Sequence, residues 1–246
     1  MRFVSLRVFL ALIFWLAGGL YAHAEAIRIA TIGDSITNGW PYFKYPPGNG
    51  ARWGGFQPKL ESKLVNAGHD AVVLNYGWSG ESTFPEAPEY SGGRDRLAGV
   101  LAASSPHYVL LQYGTNDLDY VNHPPVYAAS QIVANLSDMV DAVRQAGATP
   151  ILSTLTPDIN TPKDIAGTNQ AIKALAKSKN VILADMYAAV TANWNALTSD
   201  GLHPNQEGYQ ALADVWFDVL LKQLEPQQPP RARSTDLTPI LQLLLD

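Results

Sequence analysis

Cysteine is absent from the 246-residue chain. That excludes disulfides, a thiol nucleophile, zinc–thiolate sites and a lipid-modified cysteine near the N-terminus. Basic charge is scarce as well: 17 Lys and Arg stand against 22 Asp and Glu, a formal net charge of −5, with no Lys/Arg cluster. Such a chain is a poor partner for nucleic acid or an anionic membrane surface. An apolar run long enough to span a bilayer comfortably is missing too. The N-terminal apolar stretch, Phe9–Leu20, falls short of the roughly 20 residues that cross a bilayer. No internal repeat is visible.

What is present begins with a processing signal. Arg2 and Arg7 precede the apolar stretch, and Ala22-His23-Ala24 follows it as an A-x-A-like cleavage site. Residues 1–24 are therefore expected to be a cleaved signal peptide rather than an uncleaved anchor. The mature chain would start at Glu25, carry a net charge of −7, and be secreted or periplasmic with no stable membrane span. Residues 25–224 suit one globular domain with a sizeable core. From residue 225 the composition turns proline-rich and polar (EPQQPPRARSTD), then ends on the apolar LTPILQLLLD. The expectation for 225–246 is a flexible linker and a short terminal tail.

Five short apolar runs recur: Ile27–Ile32, Ala71–Asn75, Tyr108–Tyr113, Pro150–Thr154 and Val181–Ala184. Runs of this kind suit strands buried on both faces of a parallel sheet. Helical periodicity lies between them, with Phe56, Leu60 and Leu64 before Gly68, and Ile132, Val133, Leu136, Met139, Val140 and Val143 within 126–145. Stretches 165–177 and 206–224 look similar. Alternating strands and helices predict an α/β fold with a parallel five-stranded sheet.

In such sheets ligands sit beyond the carboxyl ends of the strands, and the polar blocks fall there. Gly33-Asp34-Ser35 follows the first strand and Asn75-Tyr76-Gly77-Trp78-Ser79-Gly80 the second. Gly114-Thr115-Asn116-Asp117 follows the third, and Asp200-Gly201-Leu202-His203-Pro204 is read as following the fifth. Each block alone reads equally well as a turn or a helix cap. Together they offer a hydroxyl nucleophile, an imidazole, a carboxylate and amide donors, the set that acyl transfer requires.

From about Ile29 to Tyr209 the chain resembles the GDSL or SGNH hydrolases. The resemblance rests on GDS, the glycine loop, GTND and D-x-x-H-P occurring in that order. It implies serine esterases and acylhydrolases on a flavodoxin-like three-layer α/β/α sandwich. It assigns Ser35 as nucleophile, His203 as base and Asp200 as the acid orienting it. The oxyanion hole would combine the Ser35 and Gly80 amides with the Asn116 side chain. Aligning Asn75-x-x-x-Ser79-Gly80 with N-x-x-x-S-G selects Gly80 over Gly77. Ile36 stands where the family name has leucine.

The residue chemistry agrees with these roles. An Asn amide carries two N–H bonds and no titrating charge. Asp200 and His203 can meet if the chain turns at Gly201. Asp34 and Asp117 are expected to hold their loops by accepting backbone amides. Asn205 is expected to cap the last helix. His69, His107 and His123 are expected to be surface or capping residues, and His23 leaves with the signal peptide. No His/Asp/Glu set has metal-ligand spacing, and the reaction needs neither metal nor cofactor. Trp40, Tyr42, Tyr45, Trp53 and Trp78 either line a substrate cleft or pack the loops. The expected substrate is a short acyl ester, acetyl above all, on a carbohydrate or similar polar alcohol. A lysophospholipid or thioester substrate, an acyltransferase reaction and a silent carbohydrate-binding domain are the alternatives.

Overall fold

The computed structural model describes residues 25–43, 49–84, 92–119 and 126–225. The expected signal peptide, the tail beyond Glu225, Tyr45 and His123 lie outside the described residues.

The five apolar runs form β1 (Ile27–Gly33), β2 (Ala71–Gly77), β3 (Tyr108–Gln112), β4 (Thr149–Ser153) and β5 (Ile182–Ala184). They pair in parallel in the order β2-β1-β3-β4-β5. β1 shows why both faces must be covered. Ile29 points into one apolar cluster with Phe56, Leu60, Leu64 and Trp216. Ala30 and Ile32 point into the other with Leu136, Met139, Val140 and Ile172. That alternation is the period-2 geometry of a strand.

Around the sheet lie α1 (Ser35–Asn38), α2 (Gln57–Asn66), α3 (Gly93–Ser104), α4 (Ala129–Gln145), α5 (Ile165–Lys179), α6 (Met186–Val190), α7 (Trp194–Leu197) and α8 (Gln206–Leu224). Helices α2 and α8 cover one face, while α3, α4 and α5 cover the other. Each fully buried Leu or Phe on these helices contributes about 1.5–3 kcal/mol. This exceeds the few tenths by which helix propensities differ per residue, so burial decides where the helices lie. The result is the α/β/α sandwich expected. Among the described residues no helix is long and apolar enough to cross a membrane.

Two departures from the sequence reading matter. Helix α3 was not anticipated, because GRDRLAGVLAAS holds two glycines and buries only a narrow stripe around Leu97 and Val100. The Asp200 block does not directly follow β5. Helix α6, a 3-10 turn at Thr191–Asn193 and α7 intervene, each too short to show periodicity.

The register positions the site. Gly33, the last residue of β1, pairs with Gly77 on one side and Gln112 on the other, so three strands end level. Strand order reverses between β1 and β3, and that reversal opens a crevice at the carboxyl edge.

Candidate active site

Ser35 is the first residue of α1, directly beyond β1, and is 9% exposed. Asp34 caps this turn, its Oδ1 accepting the Ile36 amide at 2.9 Å. The turn sits hard against the end of β2: a Cβ on Gly77 would lie 2.2 Å from the Asn38 nitrogen. Only glycine permits that approach. Beneath it, Gln57 Nε2 donates to Thr37 O at 2.7 Å and Asn75 Nδ2 to Asn38 O at 3.2 Å. The nucleophile candidate thus stands on a buried amide scaffold.

His203 arrives from the opposite end of the sequence. Its Nε2 lies 2.9 Å from Ser35 Oγ, and its Nδ1 lies 2.7 Å from Asp200 Oδ2. Asp200 uses its other oxygen on the backbone, accepting the His203 amide at 2.7 Å and the Leu202 amide at 3.0 Å. One carboxylate therefore fixes both the loop and the ring. Gly201 makes the turn at φ +90°, and its carbonyl accepts Trp194 Nε1 at 3.0 Å. Asn205 caps α8 by accepting the Gly208 amide at 2.9 Å, which anchors the loop to a helix packed by Trp216.

Burial shapes the charges. It pulls the His203 imidazole below its ordinary value, against the opposing pull of Asp200. Burial would raise Asp200, but the His203 amide, the His203 ring and the Leu202 amide outweigh it and leave its pKa lowered. Both shifts therefore favour a carboxylate at Asp200 and a neutral ring at His203. With Nδ1–H donated to that carboxylate, Nε2 is an acceptor facing the Ser35 hydroxyl. Such an array can take a proton from a hydroxyl nucleophile. Burial also pushes Asp34 up to about 7, against the hydrogen bond from Ile36.

Among the expected oxyanion donors and their neighbours, the Gly77 amide is already spent on Asn75 Oδ1 at 2.9 Å. The Gly80 amide meets no acceptor among the described residues, and Gly80 holds φ +85°. Asn116 Nδ2 donates one N–H to Glu81 O at 2.9 Å, leaving its second for another acceptor. Because β2, β1 and β3 are neighbours, the loops of Gly80 and Asn116 flank Ser35 from both sides. Asp117 joins these two loops, accepting the Thr83 amide at 3.1 Å and also the Thr83 hydroxyl.

Sequence reasoning missed the partners behind these loops. Glu81 forms a bidentate pair with Arg96 at 2.7 and 2.6 Å, and Tyr113 donates its hydroxyl to the same carboxylate. No spacing links residues 81, 96 and 113, so only their convergence in space reveals the cluster.

The aromatics divide by role. Trp40 packs on the His203 ring with centroids 5.6 Å apart, and its carbonyl accepts the Tyr209 hydroxyl at 2.7 Å. Tyr42 is 44% exposed and meets the Tyr209 ring edge-on. Trp53 stacks on Phe43, and Trp78 lies under the Arg96 guanidinium, so both pack loops. His107 accepts the Arg28 amide at 2.9 Å, a capping role. His69 follows Gly68 after α2, far in sequence from Ser35, Asp200 and His203. A cavity of about 330 Å³ lies beside Asp158, Lys163, Tyr187 and Trp194, and none of Ser35, Asp200 or His203 lines it.

Residues 31–211 match the profile of the GDSL-like Lipase/Acylhydrolase family. A multidomain esterase of Ruminococcus flavefaciens is 28% identical over 86% of this chain, which spans only 31% of that protein's length. The esterase TesA of Pseudomonas aeruginosa is 26% identical, covering 66% of this chain and 76% of TesA. An acetylxylan esterase of Geobacillus stearothermophilus superposes with a TM-score of 0.63 at 22% identity, over 79% of this chain and 94% of its own. At that identity the superposition shows a shared fold.

Proposed function

Because the chain belongs to the GDSL-like lipase/acylhydrolase family, whose members cleave carboxylic esters, we propose that it hydrolyses short-chain acyl esters through an acyl-enzyme on Ser35. One observation carries this reading: the unbroken relay from Ser35 Oγ to His203 to Asp200, 2.9 and 2.7 Å long, at the carboxyl end of β1. His203 Nε2 takes the hydroxyl proton as Ser35 Oγ bonds to the ester carbonyl carbon. The negative oxygen so formed is held by the Ser35 and Gly80 amides and the Asn116 side chain. His203 then gives its proton to the departing alkoxide as the carbon–oxygen bond breaks. Water, deprotonated by the same imidazole, attacks the acyl-Ser35, and the carboxylic acid leaves. Asp200 holds the imidazole's tautomer and stabilises its charged form throughout.

The pH dependence follows from His203. The base must be neutral, so kcat/KM rises as the ring loses its proton. With its pKa lowered, the midpoint of that rise should lie below the ordinary imidazole value of about 6.5. A profile flat from about pH 5 to 9, or a rise centred well above 6.5, would count against His203 as the base. A second inflection near 7 would belong to Asp34 and should vanish in Asp34→Asn.

For the substrate, we favour an acetyl ester of a carbohydrate or similar polar alcohol. Trp40 offers a flat face against the His203 ring, and the exposed Tyr42 lies two residues on in the same loop; flat apolar faces suit sugar rings. The likeness to an acetylxylan esterase points the same way. The comparison to make is kcat/KM for acetyl, butyryl, octanoyl and palmitoyl esters of one leaving group, with acetate release from acetylated xylan measured beside it. Acetyl should lead. A tenfold or greater preference for octanoyl or palmitoyl with untouched xylan would replace this reading with a lipid or thioester one. Export by the N-terminal segment belongs to the same proposal: N-terminal sequencing of extracytoplasmic protein should begin at Glu25, and full-length chain in membranes would refute it.

A further inference from the structure

Asp119, Asp158 and Lys163 meet at a buried junction between loops. Lys163 Nζ lies 3.0 Å from Asp158 Oδ2 and 3.4 Å from Asp119 Oδ2, and the Lys163 side chain is 3% exposed. The two carboxylates are nearly as enclosed, at 1% for Asp158 and 7% for Asp119. Asp119 belongs to the loop after β3, where its amide donates to Asn116 O at 3.0 Å. Asp158 organises the loop after β4, accepting the Asn160 amide at 2.9 Å and the Thr161 hydroxyl at 2.6 Å. That second loop grips the catalytic acid's turn. Asn160 Nδ2 donates to Asp200 O, and the Ile159 amide donates to Gly201 O at 3.1 Å.

We propose that Lys163 is a positioning residue that sets the Asp200–His203 turn relative to Asn116 by bridging Asp158 and Asp119. The inference rests on the triad reading above. An apolar trio of the same volume would pack about as stably. It would not fix direction, whereas one ammonium holding two carboxylates locks both loops to a single point. The same charge acts on the base. Asp200, Lys163 and Asp158 are the charged groups acting on His203: Lys163 favours its neutral form, and the two carboxylates favour the charged one.

The test compares wild type with Ser35→Ala, Lys163→Gln, Lys163→Arg and the double variant Asp119→Asn/Lys163→Gln, using p-nitrophenyl acetate across the pH range and a thermal melt of each. Lys163→Gln should lower kcat about ten- to a hundredfold, the cost of a small misplacement of reacting groups. KM should stay within about threefold. The rise of kcat/KM should move to higher pH, because a cation favouring neutral imidazole is gone. Lys163→Arg should restore most of kcat and the midpoint. A folded Lys163→Gln with wild-type kcat and midpoint overturns the proposal. So does a loss of kcat that tracks the melt alone, with the midpoint unmoved and no rescue by arginine. Should Lys163→Gln fail to fold, the double variant, which removes the Asp119 charge together with the Lys163 charge, is judged by the same criteria. Full activity in Ser35→Ala would instead refute the triad reading itself.

Discussion

Ser35→Ala should lose at least about a thousandfold in kcat towards p-nitrophenyl acetate while keeping a melting curve close to wild type, because removing a triad member leaves only binding and oxyanion stabilisation. The fold should survive because the substitution removes only the Ser35 hydroxyl, which hydrogen-bonds His203 Nε2 at 2.9 Å. A single hydrogen bond contributes only about 1 kcal/mol net. The backbone turn that places residue 35 is held by Asp34 and Gly77, which the substitution leaves intact. Covalent labelling by an organophosphorus probe should disappear in parallel. Residual activity above about a tenth of wild type would remove Ser35 from the nucleophile's role.

Asn116→Ala should lower kcat by about a hundred- to a thousandfold with little change in KM, the effect of losing one preorganised oxyanion donor. Negative charge builds on the carbonyl oxygen only on the way to the tetrahedral intermediate, so the ground-state complex should scarcely register the change. A change confined to KM would make Asn116 a substrate-binding residue instead. Stability must be followed alongside, because Asn116 also donates to Glu81 O at 2.9 Å in a buried loop. An orphaned buried carbonyl costs about 1–3 kcal/mol. If the melt falls while kcat at low temperature holds, the side chain serves the loop and not the oxyanion.

The legible part of the site was the part written in contiguous blocks. Gly33-Asp34-Ser35 and Asp200-Gly201-Leu202-His203 each carry their geometry locally. An Asx cap turns the chain at Ser35, and a glycine turn lets Asp200 fold back onto both the amide and ring of His203. Such short-range contacts depend on few dihedrals, so residue type and spacing are enough to suggest them. Asn205 as the cap of α8 was readable for the same reason.

The long-range contacts were not. Gly80 could be preferred to Gly77 only by resemblance, and the structure adds a physical reason: Asn75 Oδ1 already takes the Gly77 amide. Trp40 could not be told from Trp53 and Trp78 by its neighbours in sequence. It differs because the loop after α1 lays it on His203, 163 positions downstream, while Phe43 and Arg96 cover the other two.

The sequence by itself determined the parallel α/β class, the five strands within about two residues and the residues placed at their carboxyl ends, because burial on both faces leaves an apolar run that no surrounding context can disguise. The tertiary structure alone decided which loops meet. Level strand ends put Gly33, Gly77 and Gln112 side by side. Burial then set the direction of the His203 shift, and Lys163 was drawn between Asp119 and Asp158. Those outcomes depend on distances between segments far apart in the chain, and charge, desolvation and hydrogen bonding act through distance in space, which residue order does not encode.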